Sequence, residues 1–293
     1  MYHILFNPHS GNGCAEEEAK LLSALYDSET SYYDITAIGS YADFFAGLAE
    51  GDSVILCGGD GTLNRFVNDT EGIEFNCDIL YFAIGSGNDF LRDVEKTDKV
   101  PFRINEYIEN LPTVEVDGKR YRFINNVGFG IDGYCCEVGD AIKANNEKTG
   151  KSKAVNYTAI AIKGLLFHYK PTSATVTVDS KEYRYEKVWL SPTMKGRFYG
   201  GGMMPTPAQD RMNENGELSL MLMHGTGKLK TLLVFPSLFK GEHIKHEKLV
   251  AIHTGKDISV TFDRPTAVQI DGETILGVTS YRAYAKVEAP VKA

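Results

Sequence analysis

The 293-residue chain contains 43% apolar and 24% charged residues and has a formal net charge of -8. This length and composition indicate an ordinary globular protein with room for two domains, and they exclude a chain dominated by disorder. The negative charge argues against broad electrostatic attachment to nucleic acid or to anionic lipid, although it is compatible with a local basic patch, and no nucleic-acid partner is expected.

The five cysteines are scattered and form no CxxC pair, which argues against a disulfide framework or a zinc site. The amino terminus enters an apolar strand without a basic leader, and no stretch approaches the length of a membrane-spanning helix. A cytoplasmic location is therefore predicted. His243 and His246 stand at HxxH spacing without carboxylates arranged as ligands, and they are predicted to be solvated histidines.

Short apolar runs alternate with amphipathic stretches in the first half, the order expected when parallel strands are joined by crossover helices. The predicted strands are Tyr2–Phe6, Tyr32–Thr36, Ser53–Cys57 and Asp78–Ile84. The predicted helices are about Ala15–Tyr26, Tyr41–Ala49, Thr62–Asn68 and Phe102–Asn110. This pattern predicts a three-layer α/β/α domain over residues 1–120.

From about Thr113 the pattern changes to alternating segments separated by Asp-Gly and Asn-Gly turns, which is typical of antiparallel strands. The predicted strands are Thr113–Val116, Tyr121–Asn125, Ala174–Val178, Tyr183–Leu190, Leu218–Met223, Ile258–Phe262 and Ala267–Ile270. Two helices are predicted among them, at about Gly133–Asn145 and Ala154–Phe167. The second domain, residues 121–286, is therefore predicted to be β-rich and sandwich-like.

Three glycine-rich turns each follow a predicted strand of the first domain, and their sequences are NPHSGNG, GGDGT and GSGND. Parallel strands end at a common edge of the sheet, so these turns are expected to converge. Glycines let backbone N–H groups approach phosphate oxygens, and hydroxyls and helix amino termini add donors. A single such turn is often ligand-free, but three at successive strand ends favour a polyphosphate site. The spacings of GxGxxG and GxxxxGK[ST] are absent.

The ordered set NPHSGNG, GGDGTLN, GSGNDFLR, NNVGFGID, YGGGMMPTPA, NGELSL and QIDGE resembles the diacylglycerol kinase catalytic family, and within it the soluble bacterial lipid kinases. The match runs from Asn7 to Glu273. GGDGT alone is shared with sphingosine kinases, NAD kinases and phosphofructokinases, whereas the whole ordered set is highly specific.

The resemblance implies an ATP site in the cleft between the domains, with Mg²⁺ beside the phosphates and near Asp60. It also implies that the carboxyl-terminal tail, residues 287–293, returns to the first domain. The residues implied to contact the nucleotide are Asn7, Ser10, Gly11, Thr36, Gly58, Gly59, Asp60, Gly61, Thr62, Asn64, Ser86, Gly87, Asn88 and Asp89.

Asp271 and Glu273 fall in the late Asp-Gly-Glu motif, where the family carries a carboxylate that takes the proton from the lipid hydroxyl. A positioned base suits this chemistry because an alcohol is a poor nucleophile until its proton is accepted. The predicted catalytic residues are Glu273, Asp271 and Asp60. On sequence alone, Asp-Gly is also a routine hairpin turn and Glu273 a routine exposed strand residue.

Two positions depart from the family. Arg65 stands where a glutamate usually follows GGDGTLN, and it is compatible with a phosphate contact, a changed acceptor or lost activity. Asn215 replaces an aspartate that helps to hold a structural magnesium in related enzymes, and the lost charge should weaken a hard-cation site.

The predicted function is ATP-dependent phosphorylation of a lipid hydroxyl, with peripheral association with the membrane during turnover. The alternatives are an NAD kinase, and a nucleotide-binding protein with impaired catalysis. NAD kinases, which share GGDG with this family, usually rely on an Asn-Glu pair at the position that Asn88 and Asp89 occupy here, so the Asp-Phe-Leu-Arg continuation favours the lipid branch. The sequence does not identify the lipid, and a homodimer is compatible with it.

Overall fold

The computed structural model of this protein describes residues 1–11, 15–22, 29–84, 87–96, 100–149 and 155–285. Contacts divide the chain into two compact units, Met1–Leu111 and Pro112–Ala293. The division precedes residue 120 because Thr113–Val116 pairs with Tyr281–Tyr284 of the second unit. The family resemblance implies that the tail, residues 287–293, returns to the first domain, but these residues lie outside the described part of the chain.

The first unit is built on a five-stranded sheet in the order β2-β1-β3-β4-β5, parallel except for the last strand. Its strands are β1 (Tyr2–Phe6), β2 (Thr30–Asp34), β3 (Ser53–Gly58), β4 (Asp78–Ala83) and β5 (Phe102–Arg103). Its helices are α1 (Ala15–Leu21), α2 (Tyr41–Ala46), α3 (Asp60–Asp69), α4 (Asp89–Asp93) and α5 (Asn105–Ile108).

Helices cover both faces of this sheet, which gives the predicted three layers. Ala15 and Ala19 of α1 pack into one cluster with Ile4 of β1. On the opposite face, Tyr41 of α2 meets Phe66 of α3 edge to face, with 5.7 Å between ring centroids. Since successive strand residues point to opposite faces, the continuous apolar runs of β1 and β3 serve both helix layers.

The predicted helix over 102–110 is wrong in its first residues. Phe102 and Arg103 form the edge strand β5, which pairs antiparallel with Leu80 and Tyr81 of β4. The helix α5 follows only at Asn105, whose side-chain Oδ1 accepts a hydrogen bond from the backbone nitrogen of Ile79 at 2.8 Å. Backbone pairing at the sheet edge thus overrides the weak helical pattern.

The second unit contains a ten-stranded antiparallel sheet. Its strands are β6 (Thr113–Val116), β7 (Lys119–Arg122), β8 (Asn126–Gly130), β9 (Thr172–Val178), β10 (Lys181–Val188), β11 (Leu190–Met194), β12 (Leu218–Met223), β13 (Val250–Gly255), β14 (Asp257–Ile270) and β15 (Glu273–Tyr284). The order is β13-β12-β11-β8-β14-β15-β6-β7, and β10 and β9 attach through the first half of β14. The long strand β14 therefore joins three neighbours, β15, β8 and β9.

Helices and helical turns accompany this sheet. They are α6 (Ile131–Thr149), α7 (Tyr157–Lys163), a π-helical turn (Gly164–His168), α8 (Lys228–Val234) and 3-10 turns at Phe235–Lys240 and Glu242–Lys245. β12 is buried on both faces, since Leu218, Leu220 and Leu222 enter one apolar cluster and Met221 and Met223 the other. The second cluster also takes in Leu165, Val234 and Trp189, so the helices cover that face.

The strand β8, with the sequence NVGFG, is not among the predicted strands. The structure shows why a strand here needs glycine: a Cβ at Gly128 would lie 2.9 Å from the Cα of Pro192, and one at Gly130 would lie 2.8 Å from the Cα of Leu190. Both atoms belong to the neighbouring strand β11. The glycines are therefore required by close strand packing.

His243 contradicts the prediction of solvated histidines, whereas His246 is exposed as expected. The imidazole of His243 is fully buried, and its Nε2 lies 2.8 Å from the carbonyl oxygen of Pro205. Burial lowers the pKa of His243, so the neutral ring is favoured. Among the described residues, no helix has both the length and the apolar character needed to cross a bilayer.

Candidate active site

The strands of the first sheet end at one level, which brings the glycine turns to a common edge. Phe6 is in register with both Asp34 and Cys57, and Cys57 is in register with Phe82. The residues that follow these strands therefore emerge side by side, as the parallel order predicts.

Thr62 joins the first turn to the second. Its Oγ1 accepts a hydrogen bond from the Asn7 Nδ2 at 3.0 Å and lies 3.0 Å from the Ser10 Oγ. A Cβ at Gly58 would lie 2.5 Å from the same hydroxyl oxygen, so only glycine permits this approach. Three of the side chains predicted to contact the nucleotide, from residues 7, 10 and 62, thus form one cluster of hydroxyl and amide groups.

Asp60 joins the second turn to the third. Its Oδ2 accepts a hydrogen bond from the backbone nitrogen of Asp89 at 2.7 Å, and its Oδ1 accepts one from Phe90 at 3.1 Å. Gly11 of the first turn adopts a φ of +59° and packs closely against Ile84, since a Cβ at residue 11 would lie 2.7 Å from the Ile84 Cγ2. The described residues of the three turns are therefore contiguous in the structure.

The remaining predicted nucleotide contacts are distributed around this cluster. Gly59 is the N-cap of α3, and Gly61 is exposed on its first turn. Gly87 approaches Asp60, since a Cβ there would lie 3.8 Å from Oδ2. Asn88, with a φ of 41°, is the N-cap of α4, and Asp89, the first residue of α4, is buried.

Two of the other predicted contacts, Thr36 and Asn64, make hydrogen bonds within their own segments of the chain. Thr36 is exposed in the turn after β2, where its Oγ1 donates to the Asp34 Oδ1 at 2.7 Å. Asn64 is buried within α3, and its carbonyl oxygen accepts from Asn68 at 2.9 Å. Ser86 lies outside the described residues.

In the second unit, Asp271 and Gly272 form the two-residue turn between β14 and β15, as the Asp-Gly pair predicts. The Asp271 carboxylate accepts three backbone hydrogen bonds, from Ile124 at 2.5 Å, Asn125 at 2.8 Å and Asn126 at 2.9 Å. Glu273, the first residue of β15, is exposed. The two members of the acidic pair therefore differ: Asp271 supports the backbone, and Glu273 faces solvent.

Arg211 holds the same backbone segment through other atoms. Its guanidinium donates to the carbonyl oxygen of Ile124 and to the Asn125 Oδ1, both at 2.6 Å. The side chain of Arg211 is buried, so these bonds form away from competing water. Sequence reasoning did not single out Arg211, because its partners lie 87 and 86 residues away along the chain.

Asp132 is a second residue that sequence reasoning missed. Its carboxyl is buried at the start of α6, and burial raises its pKa to about 7. Hydrogen bonds from Gly133 and Gln269 lower the pKa but do not offset the effect of burial. Gln269 donates to the Asp132 Oδ2 at 3.2 Å and accepts from the backbone nitrogen of Gly272 at 2.9 Å. Gln269 therefore links this buried acid to the turn that carries Asp271.

The turn that contains Asn215 does not fit a structural cation. The Asn213 Nδ2 donates to the carbonyl oxygens of Asp210 at 2.6 Å and Glu217 at 2.9 Å. The Gln209 Nε2 reaches the same two oxygens, at 3.2 and 3.0 Å. Side-chain amides thus already bond both carbonyl oxygens, which makes these oxygens poor ligands for a cation, and Asn215 itself is exposed.

A cavity of about 310 Å³ opens in the second unit beside α6 and the end of the π-helical turn. Its lining residues are Tyr134, Glu137, His168, Tyr169, Lys170, Arg264, Pro265, Thr266, Ala267, Leu276 and Gly277. Two cations, one carboxylate and several apolar side chains therefore line this cavity.

Residues 1–117 match the family described as diacylglycerol kinase catalytic domain, and residues 125–286 match the YegS C-terminal NAD kinase beta sandwich-like domain. The chain belongs to the family of proteins that join these two domains. A diacylglycerol kinase of Mycobacterium tuberculosis (strain ATCC 25618 / H37Rv) is 26% identical over 257 residues, covering 84% of this chain and 80% of the relative. A diacylglycerol kinase of Bacillus subtilis (strain 168) is 25% identical over 286 residues, covering 92% and 88%.

Among solved structures, a diacylglycerol kinase from Bacillus anthracis str. Sterne matches with a TM-score of 0.64 at 18% identity, covering 97% of this chain and 93% of that one. This likeness confirms the predicted fold, an α/β unit with a parallel sheet followed by an antiparallel sandwich-like unit. The family relationship supports a lipid-kinase-like phosphotransferase.

Proposed function

We propose that this protein transfers the γ-phosphate of ATP to a hydroxyl group of a lipid. The observation that carries the proposal is the junction of three glycine turns through Thr62 and Asp60 at one sheet edge. Such a junction offers a polyphosphate closely spaced backbone N–H groups, two hydroxyls and the amino terminus of the ten-residue helix α3.

The residues at the junction fit a nucleotide that carries Mg²⁺. Such an ion is held by one or two carboxylates together with phosphate oxygens, and it neutralises charge on the β- and γ-phosphates. Asp60 supplies a carboxylate at the middle of the junction, where its two hydrogen bonds to Asp89 and Phe90 fix its orientation.

Glu273 is the proposed general base. As the lipid oxygen forms its bond to the γ-phosphorus, the bond from that phosphorus to the bridging oxygen breaks and ADP leaves. The hydroxyl proton passes to the Glu273 carboxylate. Glu273 suits this role better than Asp271, because its side chain is exposed whereas three backbone N–H groups hold the Asp271 carboxylate.

The test is an incubation of the protein with radiolabelled ATP and Mg²⁺, offering a total lipid extract and NAD in parallel. We expect label in the lipid fraction, with the acceptor identified by mass spectrometry. Label in NAD alone would assign the protein to the NAD kinases. Label in neither, with ATP binding in calorimetry, would favour a nucleotide-binding protein without turnover.

That last alternative rests on Arg65 and Asn215, and a variant at residue 65 tests it. The structure places Arg65 on the exposed side of α3, where its Nε lies 3.5 Å from the Asp69 carboxylate. The pair is solvated and weak, so the helix tolerates either charge at residue 65. The Arg65→Glu variant therefore tests catalysis without disturbing the core. A gain of lipid labelling in this variant alone would show that the natural arginine impairs turnover.

A further inference from the structure

Arg211 is a buried cation that holds the backbone just before β8. Among the arginines that the structure describes, it alone is buried, with 5% of its surface exposed. A guanidinium taken out of water has to be compensated by hydrogen bonds. Its two bonds of 2.6 Å, to the carbonyl oxygen of Ile124 and to the Asn125 Oδ1, are short and charge-assisted. Arg211 therefore fixes residues 124 and 125 firmly.

The segment that Arg211 fixes is bonded in turn to the Asp271 turn. The backbone nitrogens of residues 124–126 donate to the Asp271 carboxylate, and the backbone nitrogen of Asp271 donates to the carbonyl oxygen of Asn126 at 2.9 Å. Glu273 begins β15 two residues after Asp271. A displacement of residues 124–126 would therefore move the turn that presents Glu273.

The turn that carries Arg211, residues 209–217, is itself fixed. The Asn213 side chain donates to the carbonyl oxygen of Asp210 at 2.6 Å and accepts from the backbone nitrogen of Glu217 at 2.6 Å. These bonds hold the backbone on both sides of Arg211. The guanidinium therefore determines where the bonded segment lies, instead of following it.

We propose that Arg211 is a positioning residue for phosphate transfer. It holds residues 124–126, this segment holds the Asp271 turn, and the turn sets the place of the Glu273 carboxylate. The proposal rests on the proposed function, in which Glu273 accepts the proton of the lipid hydroxyl. A general base has to lie within hydrogen-bond reach of that proton, and a displacement of about 1 Å can cost about 100-fold in rate. The nucleotide contacts are proposed in the first unit alone, so ATP affinity should not depend on Arg211.

The first test is the variant Arg211→Lys, which keeps the charge and loses the fork of donors that reaches both acceptors. We expect kcat for lipid phosphorylation to fall about tenfold or more, with KM for ATP and calorimetric ATP affinity unchanged. Arg282→Lys is the matched control, because Arg282 is exposed on the same strand as Glu273 and pairs with Asp257 in solvent. This control should keep the kcat of the wild type. A folded Arg211→Lys variant with normal kcat would overturn the proposal.

A double variant separates positioning of the base from general stabilisation. Stabilisation alone would make Arg211→Lys lower kcat by the same factor with and without Glu273. In the Glu273→Gln background, Arg211→Lys should instead change kcat less than about twofold, because the group that it positions is already absent. A loss of about tenfold in that background as well would contradict the proposal. Normal turnover by Glu273→Gln alone would refute the base, and with it this role of Arg211.

Hydrogen exchange tests the positioning without any substrate. In Arg211→Lys the amides of residues 124–126 should exchange about tenfold faster, while those of β3 in the first unit should keep their wild-type rates. Equal exchange in both proteins would overturn the proposal. If Arg211→Lys does not fold, Asn125→Ala, which removes one acceptor of the guanidinium, takes its place in all three measurements. If the wild type labels no lipid, the proposed function fails, and the exchange rates still decide whether Arg211 holds this segment.

Discussion

The carboxylate of Asp60 and the backbone nitrogen of Asp89 are joined by a hydrogen bond of 2.7 Å. Asp60 therefore positions the helix that follows the third glycine turn, in addition to its proposed place beside the phosphates. Loss of its side chain should affect both the order of the turns and phosphate transfer.

Asp60→Ala should reduce kcat by about 100-fold or more and lower the free energy of unfolding by about 1–3 kcal/mol, because two backbone donors lose a charged acceptor. Lipid phosphorylation and urea unfolding measure the two effects. Asp69→Ala on the same helix is the control, since its exposed pair with Arg65 should contribute less than about 1 kcal/mol. A folded Asp60→Ala variant with normal turnover would refute the proposed role.

The acidic pair should separate into one catalytic and one supporting residue. Glu273→Gln should lower kcat by about 100-fold or more with no loss of stability, because the side chain is exposed. Asp271→Asn should lower stability by about 1–3 kcal/mol, because an amide offers one acceptor oxygen to the three backbone donors. Thermal unfolding, turnover and calorimetric ATP binding of both variants check this. Glu182→Gln, exposed on β10, should leave all three unchanged. Normal turnover by Glu273→Gln would exclude it as the base.

Asp132 should make stability depend on pH. The pKa of its carboxyl is about 7 in the folded protein and about 4 in an unfolded chain. Between these values the folded protein retains a proton that the unfolded chain has lost. The free energy of unfolding should therefore fall as the pH rises from about 4 to 7, by at most about 4 kcal/mol, and level off above.

Asp132→Asn should flatten this part of the pH profile. Urea unfolding at several pH values, followed by the fluorescence of Trp189, the single tryptophan, measures it. Glu137→Gln, exposed on the same helix, should keep the wild-type slope. The same slope in Asp132→Asn would show that Asp132 ionises normally.

The turn at residues 209–217 should be independent of divalent cations. Chelation should leave the Tm of the wild type unchanged, because the amide of Asn213 already bridges the carbonyl oxygens of Asp210 and Glu217. Asn213→Asp should destabilise the protein by about 1–3 kcal/mol, since a carboxylate would face those oxygens, and millimolar Mg²⁺ or Ca²⁺ should restore part of the loss. Asn215→Asp should change stability by less than about 0.5 kcal/mol without metal. A wild-type Tm that falls on chelation would contradict this.

The sequence predicts the first unit well where patterns are local. The run Tyr2–Phe6 has the bounds of β1, and the order of strands brings the glycine turns to one edge. The predicted strand Tyr183–Leu190 is wrong as a single element. It covers the end of β10 at Val188 and the start of β11 at Leu190, and β10 itself is irregular, since Lys187 adopts a φ of 51° and the register with β9 shifts between Tyr185 and Val188.

The candidate site was predictable only in part, for a similar reason. Glycine turns and the Asp-Gly-Glu motif are visible as strings of residues. Three hydrogen bonds of the site each join residues more than 80 positions apart in the sequence. They link Arg211 to Ile124, Gln269 to Asp132, and Ile124 to Asp271. No local pattern indicates such pairs, since tertiary packing alone brings them together.

The close packing of Gly58 against Thr62 limits which amino acids can occupy residue 58. A Cβ at residue 58 would lie 2.5 Å from the Cβ of Thr62 itself, so serine or alanine at residue 62 would clash equally. Only glycine at residue 62 would relieve the overlap, and it would remove the hydroxyl that Asn7 and Ser10 contact. A library randomised at residue 58 should therefore return glycine even when it is sorted for folding alone. Recovery of that glycine would be no measure of nucleotide binding.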